Sequence, residues 1–161
     1  MPRDYRHYQE KKDNKNFKKE NASNTPKKPF AFMIDSFYDE AGNLKAELIS
    51  NVGEKNVEQL SSLISTEGTK TSQIRKFYDS FIKSYNNFLN IDSKKENVFK
   101  VQLLILKAQV EYSYARRNVK QAFKDFIDNR FDLVIKSDKF RNDFKALKSH
   151  FEVLIAYLPK N

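Results

Sequence analysis

Two groups of side chains in this sequence are spaced so that they could bind an anion, and a third could in principle hold a metal. The first opens the segment TKTSQIRKFYDSFIKSYNNFL at residues 69–89: Lys70, Thr71, Ser72, Gln73, Arg75 and Lys76. Thr71 or Ser72 can cap a helix there by accepting a hydrogen bond from a first-turn N–H. Cations at a helix start oppose the helix dipole by about a few tenths of a kcal/mol, so a ligand is the better reason to keep them. Free N–H groups and positive side chains together favour a phosphate. The second group is Arg116, Arg117 and Lys120. Cations at a helix end are also ordinary dipole partners, so their spacing alone does not separate the two roles. If the two helices run antiparallel, both clusters meet in one phosphate-sized groove. Such a groove would follow a nucleic-acid backbone and read no bases.

The third group is Asp125, Asp128 and Asp132, at i, i+3 and i+7. Di-metal bundles add Glu-x-x-His motifs to such carboxylates, and none is present; with Lys124 and Arg130 alongside, a solvated charged face is the reading. The chain has no cysteine and two histidines, His7 and His150. Thiolate metal sites, disulfides and cysteine nucleophiles are therefore excluded. His150, between Ser149 and Phe151 on a helix, reads as boundary packing and not as the proton shuttle of a triad. Gly68 to Ser72 lacks the upstream glycine and preceding strand of a P-loop. No catalytic residue, metal or cofactor is expected.

The elements that position these groups follow from periodicity and composition. With 161 residues, three glycines and four prolines, the chain reads as one helical domain preceded by a tail. The net charge of +9 is uneven: residues 1–29 hold nine basic and four acidic side chains, and the rest hold 21 and 17. An anionic partner is the first expectation. Residues 1–28 are polar and Lys/Asn-rich, too poor in apolar surface to order themselves, so a disordered basic tail is expected there and a helical domain over 29–161. No apolar run reaches the ~18 residues of a membrane span, and the N-terminus lacks an apolar signal core, which points to the cytoplasm.

Within the domain, FAFMIDSFY at 30–38 reads as a short helix or an extended docking segment, and residues 39–43 as a turn. Two helical pieces follow, 44–52 and 54–66, broken at Gly53, with Gly68 closing the second. The 69–89 helix buries Ile74, Phe77, Phe81 and Tyr85 by its spacing. Ser93 and Glu96 form a capping-box pair that starts the next helix, running to about residue 118. That helix has two apolar stripes: Phe99, Leu103, Leu106, Val110, and Val101, Leu104, Ile105, Ala108, Tyr112. Two stripes predict a central, fully packed helix. Helices over 119–136 and from 137 or 138 to Pro159 complete an all-α, compact bundle of about five helices with phenylalanine in the core.

Three segments in order, TSQIRKFYDSF, EYSYARRNVKQAF and FKALKSHFEVLIAYL, resemble the small subunit of type III-A CRISPR effector (Csm) complexes. The resemblance covers roughly residues 69–158, with Val153 where the family usually has alanine. Residues 30–68 fit its more variable front end, and the tail is unmatched. The resemblance implies a non-catalytic helical bundle. Several copies stack beside the backbone subunits and support the guide RNA–target RNA duplex through basic side chains, as part of antiviral defence. It places the RNA contacts on Lys70, Thr71, Ser72, Gln73, Arg75, Lys76, Arg116, Arg117 and Lys120. A competing reading is a protein–protein interaction module docking through Phe30, Phe32, Met33, Phe37 and Tyr38. A metal-dependent nuclease built on the Asp125 group is the third.

Overall fold

The computed structural model describes residues 26, 28–91 and 95–160. Apart from Pro26 and Lys28, the tail expected over 1–28 lies outside these residues, as does the Ser93 cap. The domain consists of α1 (Val57–Glu67), α2 (Thr71–Leu89), α3 (Glu96–Ala115), α4 (Gln121–Ile135) and α5 (Phe140–Tyr157), after one 3-10 turn at Ala46–Leu48. These are the five helices expected from the periodicity. The 44–52 piece is the exception, since only the 3-10 turn forms. The reason lies in Asn56, whose side-chain amide donates to the carbonyls of Asn51 and Gly53, both at 2.9 Å, and gathers 51–56 into a loop. Asn56 then starts α1 by accepting from the Gln59 N–H at 3.0 Å while the Gln59 side chain accepts from the Asn56 N–H at 3.3 Å. This is a capping box with Asn and Gln in place of Ser and Glu.

Residues 30–38 form no helix. They begin with a turn at 31–32, closed by the Met33 N–H donating to the Phe30 carbonyl at 3.2 Å, and continue irregularly to the turn at 39–43, where Tyr38 pairs with Leu44 in an isolated bridge. The segment is spent on its own bundle: Phe37 is 1 % exposed, and the Tyr38 hydroxyl donates to the Asn142 carbonyl at 2.7 Å. Phe30 and Phe32 are half-buried against the core, so Met33 alone of the five docking candidates stands clear of it.

The helices pack antiparallel where they are joined by short turns. Phe88 of α2 meets Phe99 of α3 edge-on at 5.1 Å, and Lys107 of α3 meets Asp132 of α4 at 2.5 Å. Along the α2–α5 seam Tyr78 faces Phe151, Tyr85 faces Phe144, and Phe88 faces Phe140. Phe81, fully buried, sits among Phe131, Phe144 and Phe151 at centroid separations of 5.4–5.7 Å. The offset and edge-on geometries are those in which ring quadrupoles attract. Phenylalanine thus ties α2, α4 and α5 together without a polar atom to satisfy.

Two polar side chains in this core depart from expectation. Arg130, expected on a solvated face, is 1 % exposed, and His150, expected at a boundary, is also 1 % exposed. Arg130 occupies an i+4/i+7 position behind Phe126 and Phe123 on the buried stripe of α4. It has no carboxylate partner among the described residues. Its guanidinium donates to the Phe32 carbonyl, to Asn129 Oδ1 at 2.7 Å and to His150 Nε2 at 3.3 Å, and it lies over the Phe126 ring at 5.5 Å. Because His150 Nε2 accepts, Nδ1 carries the proton and donates to the Leu48 carbonyl at 2.6 Å. Burial lowers the guanidinium to about 9, still charged at neutral pH. Burial and the neighbouring Arg130 charge depress the imidazole to about 3, and His150 stays neutral.

The outer stripe of α3 is the other departure. Val101, Leu104, Ile105 and Tyr112 are 53, 48, 53 and 61 % exposed. α3 packs chiefly on α2 and α4 and stands at the edge of the bundle, so only its Phe99–Val110 stripe is covered.

The depressed His150 sets a pH dependence. Between pH 6.5 and about 3 the unfolded chain binds a proton that the folded His150 refuses. Its stability contribution is complete above pH 6.5 and is lost as pH falls, by up to about 1.4 kcal/mol per pH unit. Urea titrations at pH 6.5 and 5 should therefore differ by up to about 2 kcal/mol for the wild type. In His150→Gln, which starts less stable, the drop should be much smaller. Equal drops in the two proteins would show that His150 is not the titrating group.

Candidate nucleic-acid interface

The start of α2 and the α3–α4 corner are built from opposite solutions to the same problem, four backbone N–H groups without helical partners. At α4 the partners come from α1 and the loop after it. The Ala122 N–H donates to Glu67 Oε2 at 2.6 Å and the Lys120 N–H to Thr69 Oγ1 at 2.9 Å. That helix start is already occupied by a carboxylate. At α2, Lys70 is the N-cap, with extended backbone and no side-chain cap, and no acidic residue stands in the first turn. The cap expected from Thr71 or Ser72 does not form, because the helix begins at Thr71 itself. Thr71 is buried and its hydroxyl donates to the Pro159 carbonyl at 3.3 Å. The α2 start is the open one.

The Thr69–Lys120 bond joins the two clusters, since it holds the residue before Lys70 against the first turn of α4. Lys70, Ser72, Arg75 and Lys76 are exposed, Gln73 half-buried. None of the four cations Lys70, Arg75, Lys76 and Arg117 has an ion-pair partner among the described residues. Arg75 lines a depression with Thr71, Ser72 and Lys160. Lys160 was not singled out in the sequence, although the antiparallel α2–α5 seam brings the end of α5 to the start of α2. Arg117 and Lys120 line a second cleft with Glu67 and Tyr114.

The end of α3 carries a further sign. Asn118 N–H bonds to the Ser113 carbonyl and Arg117 N–H to the Tyr114 carbonyl, both at 2.9 Å, the paired bonds of a Schellman ending. Its left-handed residue is Arg117, at φ 63°. α1 ends the same way with Gly68, at φ 94°, the residue that adopts this conformation at no steric cost. An arginine held there is strained, and its side chain is thrown outward. Arg116 lies over the exposed Tyr112 ring at 5.3 Å and donates to its hydroxyl at 2.6 Å, while the Lys120 ammonium donates to the Arg117 carbonyl at 3.2 Å.

Of the α4 carboxylates, Asp125 accepts from the Gln121 side-chain amide at 2.7 Å, and Asp128 and Asp132 are engaged in ion pairs. Lys124 holds Asp128 at 2.6 Å and Glu111 at 3.0 Å, and Lys107 holds Asp132. Among the described residues no group of three or more acids and histidines is placed to hold a metal ion, and no helix is long and apolar enough to cross a membrane.

Fold and site together define a small all-helical protein whose distinctive surface is a corner of exposed cations. The family model described as Csm2 Type III-A matches residues 45–158, more than half of the chain, and takes in α1 and the 3-10 turn as well as the segments that carried the resemblance. The protein belongs to that family and is a small subunit of the type III-A CRISPR effector (Csm) complex. Comparison with curated proteins and with solved structures returned no match.

Replacing Arg117 by glycine should relieve the left-handed strain. We expect Arg117→Gly to raise stability by about 0.5–1 kcal/mol, read as a higher unfolding temperature. A lower temperature would mean that the arginine side chain makes a stabilising contact of its own.

Proposed function

We propose that this subunit is non-catalytic and holds the guide RNA–target RNA duplex by its phosphates, several copies stacking along the backbone subunits of the complex in the cytoplasm. The observation that carries this reading is the union, through Thr69 and Lys120, of an uncapped helix start with a corner of unpaired cations. Lys70, Arg75, Lys76, Arg116, Arg117 and Lys120 supply charge, and Ser72 and Gln73 supply polar contacts. Thr71, its hydroxyl turned to Pro159, offers the N–H of the first helical residue. Such contacts carry no sequence information, which suits a subunit whose partner strands read each other by base pairing. The folded part has only a small excess of positive charge, so each copy adds a few contacts.

The docking alternative loses its material, because Phe37 is buried and Phe30, Phe32 and Tyr38 pack on the chain's own core.

Charge reversal tests the reading. With about three phosphates per copy, the affinity for duplex RNA should fall with salt at a log–log slope near −2 to −3. Arg75→Glu with Arg116→Glu should weaken binding and flatten that slope by about one per residue, with the circular dichroism unchanged because both side chains are exposed. Unchanged affinity and slope in the double variant would sink the proposal.

A further inference from the structure

The 28–37 stretch, α4 and the start of α5 line a cleft of about 750 Å³, large enough to hold a side chain with its neighbours. Its apolar lining includes Phe30 and Leu133, both half-buried, and Met33, which is 64 % exposed. Carboxylates dominate the remainder, six aspartates against two lysines, Lys28 and Lys136. Asp128 and Asp132 are answered by Lys124 and Lys107, and Asp35 by Lys45 at 3.4 Å. Asp125, Asp138 and Asp143 have no ion-pair partner among the described residues. Apolar surface set among carboxylates suits a cationic segment that carries an aromatic side chain.

The N-terminal part of the same chain has that character. Residues 1–27 hold eight Lys/Arg against four acids, and Lys15-Asn16-Phe17-Lys18-Lys19 sets one phenylalanine among three lysines with no acid. The chain enters the folded domain at the cleft itself, since Lys28 and Pro29 line it. Ten residues, 18–27, join Phe17 to Lys28. Fully extended they reach about 35 Å, more than the roughly 20 Å that separates Asp125 from Asp138 along the helix direction. A tether of this length keeps the segment beside the cleft at an effective concentration on the order of a millimolar, so a weak contact suffices.

We propose that residues 15–19 dock in this cleft within their own chain, Phe17 against Phe30, Met33 and Leu133, and the lysines toward Asp35, Asp125, Asp138 and Asp143. The composition of the tail keeps it from building a core by itself, but a docked segment uses apolar surface that the bundle already presents. Charge selects among occupants. An acidic segment or a polyanion is repelled by the unpaired carboxylates, and a basic segment is attracted. Of basic segments, the one already tethered at Lys28 needs no encounter with a second molecule. The docking belongs to the protein free of RNA and does not rest on the phosphate-binding reading.

The absence of cysteine makes the test direct. A nitroxide attached to Lys136→Cys, in RNA-free full-length protein isotope-labelled for amide NMR, broadens the amides that come near the cleft. At about 50 mM salt, where screening is weak, the signals of residues 15–19 should fall below about half of their diamagnetic intensity. This minimum should stand apart from the one next to Lys28. Phe17→Ser should remove it, and so should Asp35→Lys with Asp138→Lys, whose unfolding temperature should change little because both carboxylates are exposed. If the charge reversals do lower that temperature, Phe17→Ser still decides, because residue 17 lies outside the described bundle. Broadening that declines evenly from residue 27 to residue 1, or a second minimum that Phe17→Ser leaves in place, overturns the proposal. So does broadening passed from nitroxide-bearing chains to isotope-labelled chains mixed with them, which would put the segment on another molecule.

Discussion

A guanidinium buried without a carboxylate must find neutral acceptors or take the fold apart, because an uncompensated charge in an apolar interior costs several kcal/mol. Arg130 meets that constraint with a backbone carbonyl, an amide oxygen, an imidazole nitrogen and the face of an aromatic ring. Each acceptor comes with a piece of chain attached. The Phe32 carbonyl brings the 30–38 segment, which Asn129 then clamps by accepting from the Ile34 N–H at 3.1 Å and donating to its carbonyl at 3.0 Å. His150 brings α5 and, through its other nitrogen, the 3-10 turn at Leu48. Residues that form no helix of their own are thereby ordered on the middle of α4. Leaving an acceptor out leaves a buried guanidinium N–H unpaired, so the contacts support one another.

The same helix fixes the basic corner at its other end. With its N-terminus closed by Glu67 and Thr69, α4 cannot offer its own N–H groups to a ligand. What it offers is position, since those bonds bring the loop before α2 into register with the end of α3. Glu67 answers the helix dipole where the cations alone would oppose it. Arg117 can then occupy a left-handed position in which glycine would be easier. Strain of this kind persists only where its surroundings over-determine it. Here the two Schellman bonds and the Lys120 ammonium on the Arg117 carbonyl do so.

Periodicity made the helices legible, and it failed wherever the partner of a side chain mattered more than its type. The α2 stripe of Ile74, Phe77, Phe81 and Tyr85 is buried as its spacing implied. Arg130 sits on an equally regular stripe, but a charged residue was read by its chemistry as solvated, and nothing local announces the Phe32 carbonyl 98 positions away. His150 was misplaced for the same reason, its partner being Leu48 at a separation of 102. The second stripe of α3 shows the converse error. Apolarity on two sides states that two surfaces want covering, and only tertiary arrangement states whether the same chain covers both. In the site, the residue types at the α2 start and the α3 end were visible, and so was their meeting if the helices ran antiparallel. The trans-capping by Glu67 and the approach of Lys160 were not, because both depend on which helix ends the bundle brings together.

The surface therefore divides by charge in a way the composition alone does not show. Lys107 and Lys124 are paired with Asp128, Asp132 and Glu111, two cations against three carboxylates, so the flank between α3 and α4 carries no free lysine of that group. Lys70, Arg75, Lys76 and Arg117, without ion-pair partners among the described residues, stand where α2 starts and α3 ends. One helix, α3, accordingly presents a neutral apolar row along its outer face and then, one turn after Tyr112, Arg116 and Arg117. Tyr112 belongs to both, as the last member of the row and the ring over which Arg116 lies. Anything seated on the row brings its own surface up to that arginine, while the strained Arg117 turns the chain away into α4. The apolar row and the cations of the α3 end are thus adjacent on one helix, with Tyr112 shared between them.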